Sequence, residues 1–331
     1  PLRRPRPPPP PPTPSTPTRA TARARPPRAP PPPLPPTPPG PRPAEQPPPD
    51  DGPGPPMSEG PPTTETADLL AGLELGRVDD DIWEGPGLVM PRATWVFGGI
   101  VAAQALVAAA AATPDRIPRS ITARFLRQAP PHAPIRHRVL PIAATRTFTD
   151  REIDVRSDGE QIADARVMLH VPDDTDLGHQ HEMPDVAPPD ESALFGGAGF
   201  DVIDLNDPPA HSRRVSSPVQ RHWMRARGTP AGDELVNQAM LVMASDLFLV
   251  ASAWRPVEGR SIVQIGEVMS FGLNLTVWFH RPFSLADWHL ITADTPAAAQ
   301  GRSLTLADWF TTDGQLVASV ALDAVMRVRT P

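Results

Sequence analysis

The sequence predicts an α+β fold of two tandem units, each an antiparallel sheet wrapped around one buried helix. Three observations predict it. The stretch Leu235–Trp254 (LVNQAMLVMASDLFLVASAW) has no Gly or Pro and is apolar on every side, so a helix there has no wet face and is enclosed by its own fold. Thr94–Pro114 (TWVFGGIVAAQALVAAAAATP) is a second such helix, opened by Gly98–Gly99 and closed by Pro114. Four strand-like runs follow each helix, and the two sets correspond. Phe125–Leu126–Arg127 matches Phe279–His280–Arg281 at an offset of 154, and the Asp158–Gly159 turn matches Asp313–Gly314 at 155. A sheet curled around one apolar helix is a hotdog fold, and two in tandem make a double hotdog.

In chain order, Thr66–Leu75 reads as a short helix and Gly76–Met90 as extended chain around Trp83. After the first buried helix come SITARFLRQA (Ser120–Ala129), IRHRVLPIAATRTF, TDREIDVRSDG and EQIADARVMLHV. Turn residues at Pro130–Pro131, Thr149–Asp150 and Asp158–Gly159 separate them, giving a four-strand meander. Pro172–Gly232, rich in Pro, Asp and Gly, is expected to cross the surface, and its FDVIDLND and VQRHWMRARG runs to open the second unit. LNLTVWFHRPF (Leu273–Phe283), DWHLITADTP, GRSLTLADWFTTDG and QLVASVALDAVMR complete it. The predicted organisation is a tail over 1–56, a first domain over 57–171, a linker over 172–198 and a second domain over 199–331.

Composition changes sharply at Met57. Residues 1–56 hold 28 of the 50 prolines, with eight Arg against Glu45, Asp50 and Asp51. Such a segment has almost nothing to bury and is expected to be disordered or locally polyproline II. It lacks the apolar run of a signal peptide, and its prolines argue against an amphipathic transit helix. The chain starts at Pro1 and its first Met is Met57, which suggests a reading frame extended upstream; a Pro-rich docking tail is the alternative. A chain starting at Met57 is expected to melt within about 2 °C of the full chain by calorimetry, and a fall of several degrees would show that the tail joins the core.

The tail carries +5 of the chain's −7, so the remainder is at −12, which argues against nucleic acid or an anionic membrane as the main partner. All 31 basic residues are Arg, and there is no Cys to form a disulfide, a thiol nucleophile or a thiolate metal site. Neither a Gly-rich phosphate loop nor a nucleophile elbow is present. A membrane span at 235–254 is disfavoured by Asn237, Gln238 and Asp246 within it.

Asp246 stands out because an unpaired buried carboxylate costs several kcal/mol (about 3 or more) unless it is hydrogen-bonded or neutralised. A fold that keeps one has a use for it, either in chemistry or as a tie to backbone N–H groups. Carrying the repeat back to the helices places Gln104 opposite Asp246. The free N–H groups and positive dipole end of the helix at Gly98–Gly99 offer donors to an oxyanion or substrate carbonyl. Gly98, Gly99 and Gln104 are therefore the candidate substrate-binding residues.

Five stretches carry a family resemblance. FGGIVAAQAL (Phe97–Leu106), GHQHEMPDVAPPD (Gly178–Asp190), ASDLFLV (Ala244–Val250), VWFHRPF (Val277–Phe283) and DGQLVAS…VMR (Asp313–Arg327) resemble, in order, motifs of the TesB-like acyl-CoA thioesterase II family. The resemblance implies a double hotdog that hydrolyses acyl-CoA to free acid and CoA without metal, cofactor or covalent Ser. It implies that an Asp, a Thr or Ser, and a Gln hold the attacking water. The Asp corresponds to Asp246, but the Thr position falls on Gly272 and the Gln position on Leu322, and the usual Asp-His pair is Asn274–Leu275. Ser270, on the same strand face as Gly272, is the first candidate for a substitute side chain, with Gln264 and Ser319 behind it.

His280 is read as structural, its ring bonded to backbone. His179, His181 and Glu182 mimic metal-ligand spacing but lie in the linker without a third well-placed ligand, so no metal is expected. Acyl-CoA and further copies of the chain are the expected partners, and the cytoplasm the expected location. The competing functions are a catalytically weak acyl-CoA-binding protein and a hydratase, the latter wanting an Asp–His pair on one helix that is not present.

Overall fold

The computed structural model describes residues 65–328, other than 92, 132, 174–177, 210–211 and 261–267. Residues 57–331 form one compact unit, and a single apolar cluster runs through both predicted halves of it. A short helix α1 (Thr66–Ala71) leads into the hairpin β1 (Gly76–Asp79) and β2 (Ile82–Gly85). Helix α2 (Gly98–Ala111) is buried along almost its whole length, as its uninterrupted apolar sequence requires. Strands β3 (Ile117–Phe125), β4 (Ile135–Ala144), β5 (Phe148–Ser157) and β6 (Glu160–His170) follow. The β5–β6 turn is Asp158–Gly159, both at positive φ, the backbone form for which Asp-Gly is suited.

The linker region holds more structure than its composition suggests. It contains β7 (Phe195–Gly197), and β8 (Phe200–Asp204) and β9 (Gln220–Arg225) then lead to α3 (Glu234–Phe248). The Asp233 side chain caps α3, accepting the Val236 N–H at 3.0 Å. After Phe248 the helix tightens into a 3-10 segment, Leu249–Trp254, so the predicted five-turn helix changes winding in its last third. The run Glu234–Trp254 is long and apolar enough to cross a membrane, but about 72% of its most apolar window is buried inside this fold. Strands β10 (Val268–Phe279), β11 (His289–Ala299), β12 (Arg302–Thr311) and β13 (Leu316–Val328) complete the chain.

Among the described residues thirteen strands form one sheet, ordered β1-β2-β4-β5-β6-β3-β10-β13-β12-β11-β9-β8-β7, with every neighbouring pair antiparallel. The plain meander expected from the turns is corrected here. β3 pairs with β6, not with β4, and β10 likewise pairs with β13. The Pro130–Pro131 segment between β3 and β4 is a crossing rather than a hairpin, because the strand after each helix must close the sheet around that helix. The two runs meet where β3 pairs with β10, from Arg124↔Asn274 to Ser120↔Trp278.

Two features of this seam matter for the site. The β3–β10 pairing ends at Arg124, so Phe125 lies just beyond it. In the β10–β13 pair the register shifts between Gly272 and Asn274, a bulge at Leu273 that reverses which side chains face inward. Helices α2 and α3 pack closely beneath: a Cβ at Gly99 would lie 3.0 Å from the Met243 carbonyl oxygen. Any larger residue there would press on α3.

Candidate active site

Asp246 lies in the last turns of α3 and points at the N-terminus of α2 and the β3–β10 seam. A Cβ at Gly98 would stand 3.0 Å from Asp246 Oδ2 and 3.3 Å from Phe125 Cε1. A Cβ at Gly272 would stand 2.7 Å from Asp246 Oδ1 and 3.3 Å from both Leu322 Cδ1 and Phe125 Cε2. The carboxylate thus lies between two glycines, one beside each oxygen, and a side chain at Gly272 would force it to shift. Oδ1 is closed off from solvent and has no hydrogen-bond partner among the described residues.

Burial pushes the Asp246 carboxyl up from 3.8 to about 7, and a hydrogen bond from the Gly99 backbone opposes that rise. No side chain caps α2 from its own N-cap residue, Phe97. Asp246, arriving from the other helix, supplies the negative charge that the α2 terminus favours. The Gly99 N–H is therefore engaged by the carboxylate and is not a free oxyanion donor. The Gly98 N–H is the one left of the pair expected to meet the substrate.

The structure brings Asp246, Gly98, Gly99, Gly272 and Leu322 together and leaves other candidates apart. Gln104 is not opposite Asp246. It is fully buried, donates through Nε2 to the carbonyls of Gly72 (2.6 Å) and Pro86 (2.9 Å), and bonds through Oε1 to His137 Nε2 at 3.0 Å. Burial pushes His137 down to about 3, so its ring is neutral and its Nε2–H donates to the Gln104 oxygen. This carboxamide ties α2 to the loops around α1 and β2 and has nothing left for a substrate. Gln104→Ala is expected to cost about 2–3 kcal/mol in denaturant unfolding, from the polar groups left unpaired.

Ser270 shares the inward face with Gly272, but its hydroxyl donates to the Val325 carbonyl at 3.1 Å, so its proton is already placed. Ser319 is on the outer face, where its Oγ donates to Asp308 Oδ1 at 2.6 Å and lies 3.0 Å from His280 Nε2. It alternates with inward Val320 and Leu322 along β13 and cannot reach Asp246. The His280 ring bonds to that side chain and not, as expected, to backbone. His181 is 3.2 Å from Asp308 Oδ2, on the same outer face. Asn274 bonds Asp323 Oδ2 at 2.8 Å, and Leu275 is in the core. Gln264 lies outside the described residues.

Sequence reading missed Phe125 as a site residue. Its signal was present: it continues the inward alternation of Ile121 and Ala123 along β3.

An antiparallel sheet wrapped around two buried helices, with an inward carboxylate at a helix terminus, is the arrangement of a hotdog-fold protein. Family models described as the acyl-CoA thioesterase N-terminal and C-terminal domains match residues 88–170 and 173–325. The chain is 29% identical over 281 residues to Acyl-CoA thioesterase 2 of Haemophilus influenzae, covering 78% of this chain and 97% of that one. It resembles the crystal structure of acyl-CoA thioesterase II TesB2 from Mycobacterium marinum at 27% identity and a TM-score of 0.67, covering 79% of this chain and 99% of that one. A hot dog fold protein from Alicyclobacillus acidocaldarius, at 20% identity and a TM-score of 0.65, covers 79% of this chain and 98% of its own. The chain belongs to the TesB-like acyl-CoA thioesterase II family.

Proposed function

We propose that the chain is a double hotdog acyl-CoA thioesterase in which Asp246 is the general base. The observation that carries this is an inward carboxylate at the terminus of the facing helix, raised toward neutrality by burial and without a charged partner among the described residues. In its ionised form Asp246 takes a proton from a water as the water oxygen adds to the thioester carbonyl carbon. The oxyanion is met by the remaining N–H of the α2 terminus. Collapse breaks the C–S bond, releasing the acid and CoA thiolate, which is then protonated. Pre-placing the base near its working pH suits proton transfer, because both its charged form and its basicity are then available.

The second reading is a catalytically weak acyl-CoA-binding protein, favoured by Gly272 and Leu322, which leave the water with one polar side chain where the family places three. Thiol release from a panel of acyl-CoA chain lengths, with calorimetric binding in parallel, separates the two. Turnover supports the enzyme, and binding without turnover supports the second reading. If Asp246 is the base, kcat/KM rises with pH on a limb centred near 7. A flat profile from about pH 5 to about 8.5 would count against that role.

A cytoplasmic location accompanies the proposed substrate, and the domain limits 57–171 and 199–331 accompany the tandem arrangement. A homo-oligomer belongs to the same proposal, since Trp278 and Leu306 lie exposed on the outer sheet face where a second copy would cover them.

A further inference from the structure

Phe125 has no part in the chemistry above, yet the tip of its ring touches the two places that confine the carboxylate. Cε1 is 3.3 Å and Cζ 3.5 Å from the Cβ position of Gly98, and Cε2 is 3.3 Å from that of Gly272. The same two points lie 3.0 Å from Oδ2 and 2.7 Å from Oδ1 of Asp246. Ring and carboxylate therefore meet at the same two glycines, and Leu322 Cδ1 lies 3.3 Å from the Cβ position of Gly272. An aromatic edge carries the positive part of the ring's quadrupole, so a phenyl tip beside a carboxylate is mildly favourable as well as water-excluding. We infer that Phe125 is a positioning residue of this site: its ring tip, lodged against Gly98 and Gly272, seals Asp246 Oδ1 from water and holds the carboxylate in one orientation toward the α2 terminus. This rests on the reading of Asp246 as the base.

The ring is able to do this because of where the strand pairing ends. The β3–β10 pairing ends at Arg124 and the β10–β13 register shifts at Leu273, and there the inward Phe125 ring comes to lie beside Gly272. A smaller side chain would admit water to a carboxylate oxygen that is now closed off from solvent.

The pH effect expected at this site, among the described residues, is that of Asp246. Among the described residues, Gly98 and Gly99 face it from α2, Phe125 from β3, Gly272 from β10 and Leu322 from β13, none of them titratable. The charged neighbours on those strands lie on the other face: Arg124 pairs with Asp164, and Asp323 with Asn274. Glu234, on α3 itself, is twelve residues away, about 18 Å along the helix axis.

The test compares wild type, Phe125→Leu and Phe125→Ala, each with and without Asp246→Asn. One readout needs no activity: the difference in denaturation midpoint between each Asp246 protein and its Asn partner, followed from about pH 4.5 to about 9. In wild type this difference changes with an inflection near 7. Phe125→Ala is expected to move the inflection down by about one pH unit or more as water reaches Oδ1, and Phe125→Leu by less. In the assay, Phe125→Ala is expected to lower kcat about tenfold with KM within about twofold, and Phe125→Leu to recover part of it. An unmoved inflection and unmoved kcat in folded variants would make Phe125 mere packing. If Asp246→Asn hydrolyses acyl-CoA at the wild-type rate, the base assignment falls, while the inflection still decides whether Phe125 seals the carboxylate. If Phe125→Ala does not fold, Phe125→Leu carries the comparison by the same two readouts.

Discussion

Asp246→Asn is expected to lower kcat by about a hundredfold or more, equivalent to about 3 kcal/mol of transition-state stabilisation, while leaving the fold intact. Asn has almost the same shape and retains an acceptor for the Gly99 N–H, so only the charge and the basicity are lost. The same change is expected to stabilise the protein above neutral pH. The carboxyl is raised from 3.8 in the unfolded chain to about 7 when folded, so between those values the folded state holds the extra proton. Stability from this group is therefore greatest at low pH and falls as pH rises through that window. Full ionisation above pH 7 costs at most about 4 kcal/mol, because each pH unit between the two values is worth about 1.36 kcal/mol. Urea denaturation at about pH 5 and about pH 8.5 reads this directly: the Asn protein should gain clearly more on wild type at the higher pH than at the lower, where only part of the window has been crossed. Equal turnover with no such gain would assign Asp246 to structure alone, as the cap of a neighbouring helix.

Restoring the family's side chains at Gly272 and Leu322 is expected to give opposite results at the two positions. From the sequence alone, Gly272→Thr with Leu322→Gln returns two polar contacts to the water and raises kcat. The packing changes that expectation for Gly272, whose Cβ would stand 2.7 Å from Asp246 Oδ1, inside van der Waals contact. Gly272→Thr should therefore displace the carboxylate, cost about 1–3 kcal/mol of stability and lower kcat about tenfold. Leu322 is different. Its Cδ1 is 3.3 Å from the same point, and a Gln carboxamide there has an unpartnered acceptor, Asp246 Oδ1, within its reach. Leu322→Gln is expected to raise kcat about fivefold, one hydrogen bond's worth, and to lower the midpoint of the pH limb by stabilising the charged carboxylate. The double mutant should fall below the sum of the two, since the displaced Asp246 no longer meets the amide. Four values of kcat and four melting temperatures complete the cycle. A gain from Gly272→Thr alone would show that strand β10 yields more readily than its bulge and neighbours suggest.

Much of this protein could be read before any packing was known. The buried helices were legible because apolar residues on all sides of a 14- or 15-residue helix leave it nowhere to lie but inside. The strands were legible from alternation and from turns such as Asp158–Gly159, whose backbone form excludes most other residues. Asp246 was legible for the converse reason: a carboxylate in such a helix is too costly to be incidental. Those are local properties, or one-residue violations of them. The partner of β3, the direction in which Gln104 points and the placing of Phe125 were not legible. A helix apolar all round has no preferred face, so its sequence cannot say which side chain meets which neighbour. Gln104 lies on such a helix, and only the packed structure turns it to His137 and away from Asp246. Composition and periodicity thus determined which segments are buried and which residue is anomalous. Tertiary structure alone decided what surrounds the anomaly, because the 2.7 Å between Asp246 and the Cβ position of Gly272 depends on where two helices and a sheet bulge come to rest together.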